Sequence, residues 1–204
     1  MLAALVLAAG ESRRMGGSPK ALLKAPCGRS FAGRITDVLA ESGVDTLFVV
    51  TGAHHDEVVK AVEADRPRLS PVFLRNPNPS RGQLSSLWVG MDHAVTPAVE
   101  ALLVTLVDVP MITADVVRQV IDGWRVSRAP IVRPAIGAVH GHPVLYDRAL
   151  FAALRSASLE HGAKAVVRAH ESEILNVAVS DPGCLRDVDT PEDYRTLRGF
   201  PTGD

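Results

Sequence analysis

The segment from residue 7 to residue 20, LAAGESRRMGGSPK, combines glycines with basic side chains. Its glycines permit backbone angles that other residues avoid, and they let main-chain N–H groups approach a ligand closely. Between Glu11 and Arg34 the chain carries six basic residues and one acidic residue. A glycine-rich loop with this excess of positive charge is typical of a site that binds phosphate groups. The competing interpretation is a solvated basic loop on the surface.

Signatures of several other reaction types are absent from the sequence. The chain has neither the GxxxxGK[ST] pattern of a Walker A loop nor GxGxxG, and neither HExxH nor GxSxG. Cys27 and Cys184 lie far apart without a CxxC spacing or a neighbouring histidine, which argues against a disulfide framework, a zinc site and a cysteine nucleophile. His140 and His142 are spaced as a metal pair, but no third ligand accompanies them, so we favour a role in lining a substrate pocket.

The composition predicts a single globular domain over residues 1–204. Hydrophobic residues make up 47% of the chain and charged residues 22%, and the formal net charge is −1. This near-neutral balance argues against a nucleic-acid partner. No apolar run reaches the roughly 20 residues that a membrane helix needs, so we expect no membrane association. The isolated cysteines and the lack of a signal-peptide pattern favour a cytoplasmic protein.

Apolar runs alternate with amphipathic stretches along the chain. Short runs that end at glycine, proline or polar residues predict strands at 2–8, 47–51, 72–74, 102–107, 131–133, 144–146 and 174–179. Helical spacing predicts helices at 35–40, 56–63, 83–94, 113–124, 148–156, 163–170 and 191–197. Gly43 is expected to stop the first helix, and Thr113 and Thr190 to cap the fourth and the last. This alternation predicts an α/β fold, a three-layer, doubly wound and mostly parallel sheet.

Three polar segments directly follow predicted strands: residues 9–20, 76–86 and 108–110. In an open α/β sheet, ligands bind outside the carboxyl ends of the strands. We therefore expect these three segments to converge on one binding site.

Taken as a whole, LAAGESRRMGGSPKALL at residues 7–23 resembles the LAAGxSxRMGxxKxL signature of nucleotidylyltransferases. It is most similar to the molybdopterin cytidylyl- and guanylyltransferases and their MobA-like relatives. The resemblance covers nearly the whole chain and implies a Rossmann-like nucleotidyltransferase fold. It implies that Arg13 and Lys20 hold the nucleotide triphosphate and contribute to catalysis. It also implies that the nucleotide base and ribose are lined by Leu7, Ala8, Ala9 and Gly10.

Later segments match further motifs of the same family. GQLSSL at residues 82–87 resembles the segment that contacts the base, which implies nucleotide-binding roles for Gly82, Ser85 and Ser86. GHP at residues 141–143 resembles the segment that borders the acceptor pocket, and its residues are Gly141, His142 and Pro143.

Two aspartates match the metal-side motifs of the family. Asp108, in LVDVP, corresponds to the metal-binding aspartate, and Asp189, in DVDTPED, corresponds to the second metal-side ligand. Magnesium (Mg²⁺) takes one or two carboxylates and completes its shell with waters and phosphate oxygens, which suits such a pair. Without the resemblance, Asp108 could equally be a turn residue, and Asp189 could simply begin the last helix.

The resemblance implies an enzyme that transfers a nucleoside monophosphate from an NTP to a phosphorylated acceptor and releases pyrophosphate. Molybdopterin is the favoured acceptor, and a molybdoenzyme or its chaperone would be the protein partner. CTP is the favoured nucleotide, because residues 82–87 match the G-x-x-S-S-L form of the cytidylyl branch rather than the GPLAG-like segment of the guanylyl branch.

Three alternatives remain open from the sequence. The first is a transferase whose acceptor is a sugar phosphate or an alditol phosphate. The same loop could bind the cofactor of a flavin- or nicotinamide-linked oxidoreductase, or it could serve a nucleotide-binding regulator without turnover. Release of pyrophosphate separates the transferase from the oxidoreductase, which releases none.

Overall fold

The computed structural model describes residues 1–197, except for the side chain of Arg13. In that part of the chain the strands are β1 (Leu2–Ala8), β2 (Thr46–Thr51), β3 (Val72–Arg75), β4 (Ala101–Leu106), β5 (Ile131–Ile136), β6 (Val139–His140), β7 (Val144–Asp147) and β8 (Ile174–Ala178). The α-helices are α1 (Phe31–Glu41), α2 (His55–Ala64), α3 (Gln83–Ala94), α4 (Ala114–Ser127), α5 (Phe151–Ser156), α6 (Ala163–Ala169) and α7 (Pro191–Leu197).

The strands form one sheet in the order β3-β2-β1-β4-β7-β5-β6, with β8 paired to β5. β1 lies at the centre of the amino-terminal half and pairs in parallel with both β2 and β4. β3 extends this half in parallel with β2. β7 is antiparallel to β4 and β5, whereas β8 runs parallel to β5. The sheet is therefore mixed but mostly parallel, as the sequence predicts.

Helices cover both faces of the sheet and make it the middle of three layers. Every residue of β1 is buried, and successive side chains enter opposite cores. Ala4 and Val6 join the core beneath α1 and α4, whereas Leu5 and Leu7 join the core beneath α3 and α5. A strand that is buried on both faces reads as one continuous apolar run. That property is why β1 is recognisable in the sequence.

The helix ends follow local capping chemistry in most cases. The Ser30 hydroxyl accepts from the Gly33 N–H at the start of α1, and Gly43 follows its end with a φ of +82°. At α7 the Thr190 hydroxyl accepts from the Asp193 N–H, and the Asp193 carboxylate accepts from the Thr190 N–H. Thr113 occupies the N-cap position of α4 as predicted, but its hydroxyl makes no capping hydrogen bond and instead donates a 2.8 Å hydrogen bond to Asp181 Oδ2.

Two further differences from the predicted elements are small. The strand β6 is only two residues long and pairs with β5 across a tight turn, so it carries too little pattern to be predicted. α1 begins four residues earlier than predicted because Ser30 caps it there.

Within residues 1–197, no helix has the length and apolarity required to cross a membrane.

Candidate active site

The carboxyl ends of β1, β2 and β4 open onto a cavity of about 610 Å³, hereafter the first cavity. Gly10 lines it beyond β1, Gly52 beyond β2 and Asp108 beyond β4, and Gly82 lines it at the start of α3. The three polar segments that follow strand ends thus converge, as expected for a sheet of this type. Of the residues expected at the nucleotide, the first cavity is lined by Leu7, Ala8, Ala9, Gly10, Lys20, Gly82 and Ser86.

The loop after β1 folds back over the mouth of this cavity. Ser12 adopts a φ of +50°, and its hydroxyl accepts from the Lys20 N–H at 3.0 Å. Gly16 and Gly17 have φ values of +66° and +85°, in the region that favours glycine. These turns return the chain to the strand ends and place the Lys20 side chain there. The backbone of Arg13 lies in the short turn Arg13–Met15, while its side chain falls outside the described part of the structure.

The ammonium group of Lys20 lies between the two predicted metal ligands. Lys20 Nζ is 3.2 Å from Asp108 Oδ2 and 2.5 Å from Asp189 Oδ1. The Lys20 side chain is 12% exposed, against 25% for Asp108 and 42% for Asp189. Arg14 adds an exposed ion pair to Asp189, with 3.3 Å between Nη1 and Oδ2. The fold therefore holds the two carboxylates around a cation.

The carboxylate pair has the donor chemistry for a divalent cation. Asp108 Oδ1 is buried and has no hydrogen-bond partner among the described residues, which leaves one carboxylate oxygen for a ligand. No group of three or more His, Cys, Asp or Glu side chains within residues 1–197 is arranged to hold a metal. Two carboxylates suit Mg²⁺ or a similar ion that keeps waters and phosphate oxygens in its shell, and they do not suit a closed zinc site.

Negative charge accumulates beside this pair. Burial raises the pKa of Asp187, and the carboxylates of Asp108 and Asp189 raise it further. Crowded acids of this kind favour the binding of cations at the same mouth.

The two serines of the GQLSSL segment have different roles. Ser86 lines the first cavity. Ser85 is not among the lining residues, because its hydroxyl turns back and donates 2.7 Å to Gly82 O. Gly82 itself has a φ of +92°. Ser85 therefore shapes the start of α3, and Ser86 is the serine in position to meet a ligand.

A second cavity of about 730 Å³ adjoins the first, and both are lined by Leu7, Gln83 and Leu106. Gly141 and His142 of the GHP segment line it, together with His140. Pro143 is buried behind them, after a cis peptide bond. The GHP segment therefore lies beside the second cavity.

Burial shifts the pKa values of two groups at the second cavity. Burial lowers the pKa of the His142 imidazole, and the backbone N–H of His142 donates a 2.9 Å hydrogen bond to Cys184 O. Burial likewise raises the pKa of the Cys184 thiol, which argues further against a cysteine nucleophile. A side chain at Gly141 would collide with the Cys184 carbonyl, so this approach requires glycine.

Several other residues that line the first cavity belong to no recognisable sequence motif. Gly52, Ala53 and His54 line it from the loop after β2. A Cβ atom on Gly52 would lie 2.7 Å from Ala9 O, and this clash explains the glycine beside the LAAG segment. A glycine directly after a predicted buried strand is the one sign that could have identified this loop. Asn76 is buried and donates to both Ser85 and Ser86, although in the sequence it reads as a turn residue.

Comparison with known proteins agrees with this geometry. Residues 4–174 match the family model of the MobA-like NTP transferase domain. The chain is 31% identical over 207 residues to nicotine blue oxidoreductase of Paenarthrobacter nicotinovorans, which covers 95% of each chain. It is 27% identical over 198 residues to a probable molybdenum cofactor guanylyltransferase of Mycobacterium avium, covering 96% of this chain and 94% of that one.

Solved structures show the same fold. Rv0371c from Mycobacterium tuberculosis H37Rv matches with a TM-score of 0.77 and 26% identity, over 98% of both chains. A complex of that protein with manganese matches with a TM-score of 0.71 and 27% identity, over 96% of this chain and 97% of that one. The family model covers most of the sequence, including the glycine-rich loop and Asp108, and the chain therefore belongs to the MobA-like NTP transferase family of nucleotidyltransferases.

Proposed function

We propose that this chain transfers CMP from CTP to a phosphorylated acceptor of the molybdopterin type and releases pyrophosphate. The observation that carries the proposal is the Lys20 ammonium held between Asp108 and Asp189 at the mouth of the first cavity. Two carboxylates and a lysine below a glycine-rich loop supply what a metal–triphosphate complex needs, namely oxygen ligands for the metal and a positive charge for the phosphates. In this proposal residues 1–204 act as one domain.

The reaction is an in-line attack by an acceptor phosphate oxygen on the α-phosphorus of the NTP. The new P–O bond forms as the bond to the β-phosphate oxygen breaks, and pyrophosphate leaves with the electron pair. The acceptor phosphate is already ionised, so no general base is needed. Most of the catalysis is then positioning and charge neutralisation.

Different residues of the chain provide the charge neutralisation and the positioning. Lys20, with Arg13 and Arg14 on the same loop, offsets the charge of the triphosphate and of the leaving pyrophosphate. Asp108 and Asp189 hold the divalent cation, for which Mg²⁺ is our choice and the manganese complex of Rv0371c is a precedent. When bound, the cation supplies charge neutralisation at the phosphate oxygens. The adjoining second cavity, with Gly141, His142 and Pro143 at its border, receives the acceptor.

Lys20 and the metal ion compete for the same carboxylates in this proposal. Replacing Lys20 by methionine removes the ammonium and leaves Asp108 and Asp189 uncompensated. We expect this variant to bind Mn²⁺ in the absence of nucleotide on the order of tenfold more tightly than the wild type. Electron paramagnetic resonance titration of free Mn²⁺ measures the affinity directly. Lys24→Met, an exposed lysine on the same stretch, is the matched control. Weaker Mn²⁺ binding by the Lys20 variant would contradict the shared site.

CTP is the proposed nucleotide because of the GQLSSL segment. A pyrimidine base is small enough to leave room for a serine side chain beside it, whereas the larger purine base needs a smaller residue there. The name of the Mycobacterium avium relative, a probable guanylyltransferase, favours the opposite choice. We expect kcat/KM for CTP to exceed that for GTP and ATP by more than about tenfold with a common acceptor. A tenfold advantage for GTP or ATP would remove the cytidylyl assignment and leave nucleotidyl transfer intact.

A second candidate function comes from the relative that is 31% identical, which is called an oxidoreductase. In that case the first cavity would bind a flavin or nicotinamide cofactor and no pyrophosphate would form.

Within the transferase proposal, the main competing acceptor is a sugar phosphate or an alditol phosphate. Comparing the rates with molybdopterin and with these phosphates under saturating CTP distinguishes the acceptors. The expected setting is the cytoplasm, where a molybdoenzyme or its chaperone would receive the product.

A further inference from the structure

Asn76 occupies a position that its sequence context does not suggest. It begins the Asn76-Pro77-Asn78-Pro79 turn, yet it is 3% exposed. Its N–H donates 2.8 Å to Thr51 O and so extends the pairing of β3 with β2 by one residue. A buried amide side chain must satisfy its donors and acceptor within the protein, so its partners are informative.

The hydrogen bonds fix the orientation of the Asn76 amide. The backbone N–H of Asn78, which can only donate, lies 2.9 Å from Oδ1. The atom facing that N–H must therefore be the oxygen, and the NH₂ group must face the other way. Nδ2 then donates to Ser85 Oγ and to Ser86 Oγ, at 2.9 Å in each case.

This arrangement sets the polarity of both serine hydroxyls. Each serine oxygen accepts from Asn76, so each hydroxyl hydrogen has to point elsewhere. Ser85 donates its hydrogen to Gly82 O. Ser86 lines the first cavity, and no acceptor within residues 1–197 takes its hydrogen. Ser86 is 4% exposed, and its hydroxyl hydrogen is therefore left for an acceptor that enters the cavity.

We propose that Asn76 is a positioning residue for recognition of the nucleobase, because its amide leaves the Ser86 hydroxyl hydrogen for an acceptor edge of the base. The inference rests on the proposed function, since it assumes that a nucleotide base occupies this end of the first cavity. Cytosine offers two adjacent acceptors, its carbonyl oxygen O2 and its ring nitrogen N3. Asn76 acts through Ser86 and does not itself touch the base.

Asn76→Asp tests this polarity with almost no change in shape. An aspartate still accepts from the Asn78 N–H, but its second oxygen accepts the Ser86 hydrogen and turns the hydroxyl around. We expect CTP affinity, and KM in parallel, to worsen by about tenfold or more, because a donor–acceptor contact becomes a contact between two acceptors. Binding of magnesium pyrophosphate, which has no base, should stay within about twofold.

Isothermal titration calorimetry with CTP and with pyrophosphate measures both affinities. The set comprises the wild type, Asn76→Asp, Ser86→Ala, the double variant and Asn176→Asp, an exposed site that receives the same change. Because Asn76 acts through Ser86, the double variant should bind CTP no more weakly than Ser86→Ala alone. Asn76→Ala removes the donor without adding charge, and it serves as the second variant if Asn76→Asp lowers the melting temperature.

Two results would overturn the inference. An equal loss of CTP and pyrophosphate affinity in Asn76→Asp would show that the residue acts on charge or loop shape. A further loss of CTP affinity in the double variant would show that it acts independently of Ser86. Failure of the wild type to bind either ligand is a different outcome, and it would overturn the proposed function itself.

Discussion

Asp108→Asn is expected to lower kcat for nucleotidyl transfer by about 10²- to 10³-fold or more, while the affinity for CTP stays within about tenfold. The asparagine keeps the size of the side chain and removes one negative charge from the pair that faces Lys20. In the proposed mechanism the carboxylate acts mainly on charge that develops in the transition state, so turnover should suffer far more than binding.

Steady-state kinetics with CTP and calorimetric binding of CTP separate these two effects. Asp122→Asn, at an exposed position on α4 that pairs with Arg125, is the matched control and should behave as the wild type. Unimpaired turnover of Asp108→Asn in the presence of Mg²⁺ would remove Asp108 from the mechanism.

Lys20→Met should have the second largest effect on the reaction. Losing a charge-assisted contact to phosphate costs on the order of 2–4 kcal/mol, so kcat/KM for CTP should fall by roughly 30- to 1,000-fold. Both KM and kcat should change, because the proposed mechanism places Lys20 against the bound triphosphate and the leaving pyrophosphate alike. The same variant is expected to gain affinity for Mn²⁺ alone, so one substitution moves two measurements in opposite directions.

The exposed Lys24→Met variant again provides the control for the loss of a lysine from this stretch. Wild-type kinetics in Lys20→Met would mean that the glycine-rich loop is only a solvated basic surface.

The parallel half of the fold could be predicted because its signals are local. β1 is apolar throughout, and β4 is apolar except for the buried Thr105, since helices cover both faces of these strands. The convergence of polar segments then follows from the geometry of a parallel sheet. The antiparallel insertion of β7 between β4 and β5 could not be predicted, because strand orientation depends on pairing across distant parts of the chain.

For the candidate site too, local motifs could be predicted from the sequence, whereas contacts between distant residues could not. Lys20 and Asp108 could be identified by residue type, and they belong to recognisable motifs. Their direct contact, 88 residues apart in sequence, depends on how the loop after β1 folds back. Ser85 and Ser86 are adjacent and identical in type, so only the direction of each hydroxyl separates their roles. Asn76 reads as a turn residue because its burial depends on the docking of α3.

The most direct test of nucleotidyl transfer follows two labels on CTP, one on the α-phosphate and one on the γ-phosphate, with molybdopterin as acceptor. The account predicts that the α-label enters the acceptor while the γ-label leaves as pyrophosphate, in equal amounts and only with a divalent cation present. Release of the γ-label as inorganic phosphate without transfer of the α-label would contradict it. So would oxidation or reduction of a flavin or nicotinamide cofactor with no pyrophosphate formed.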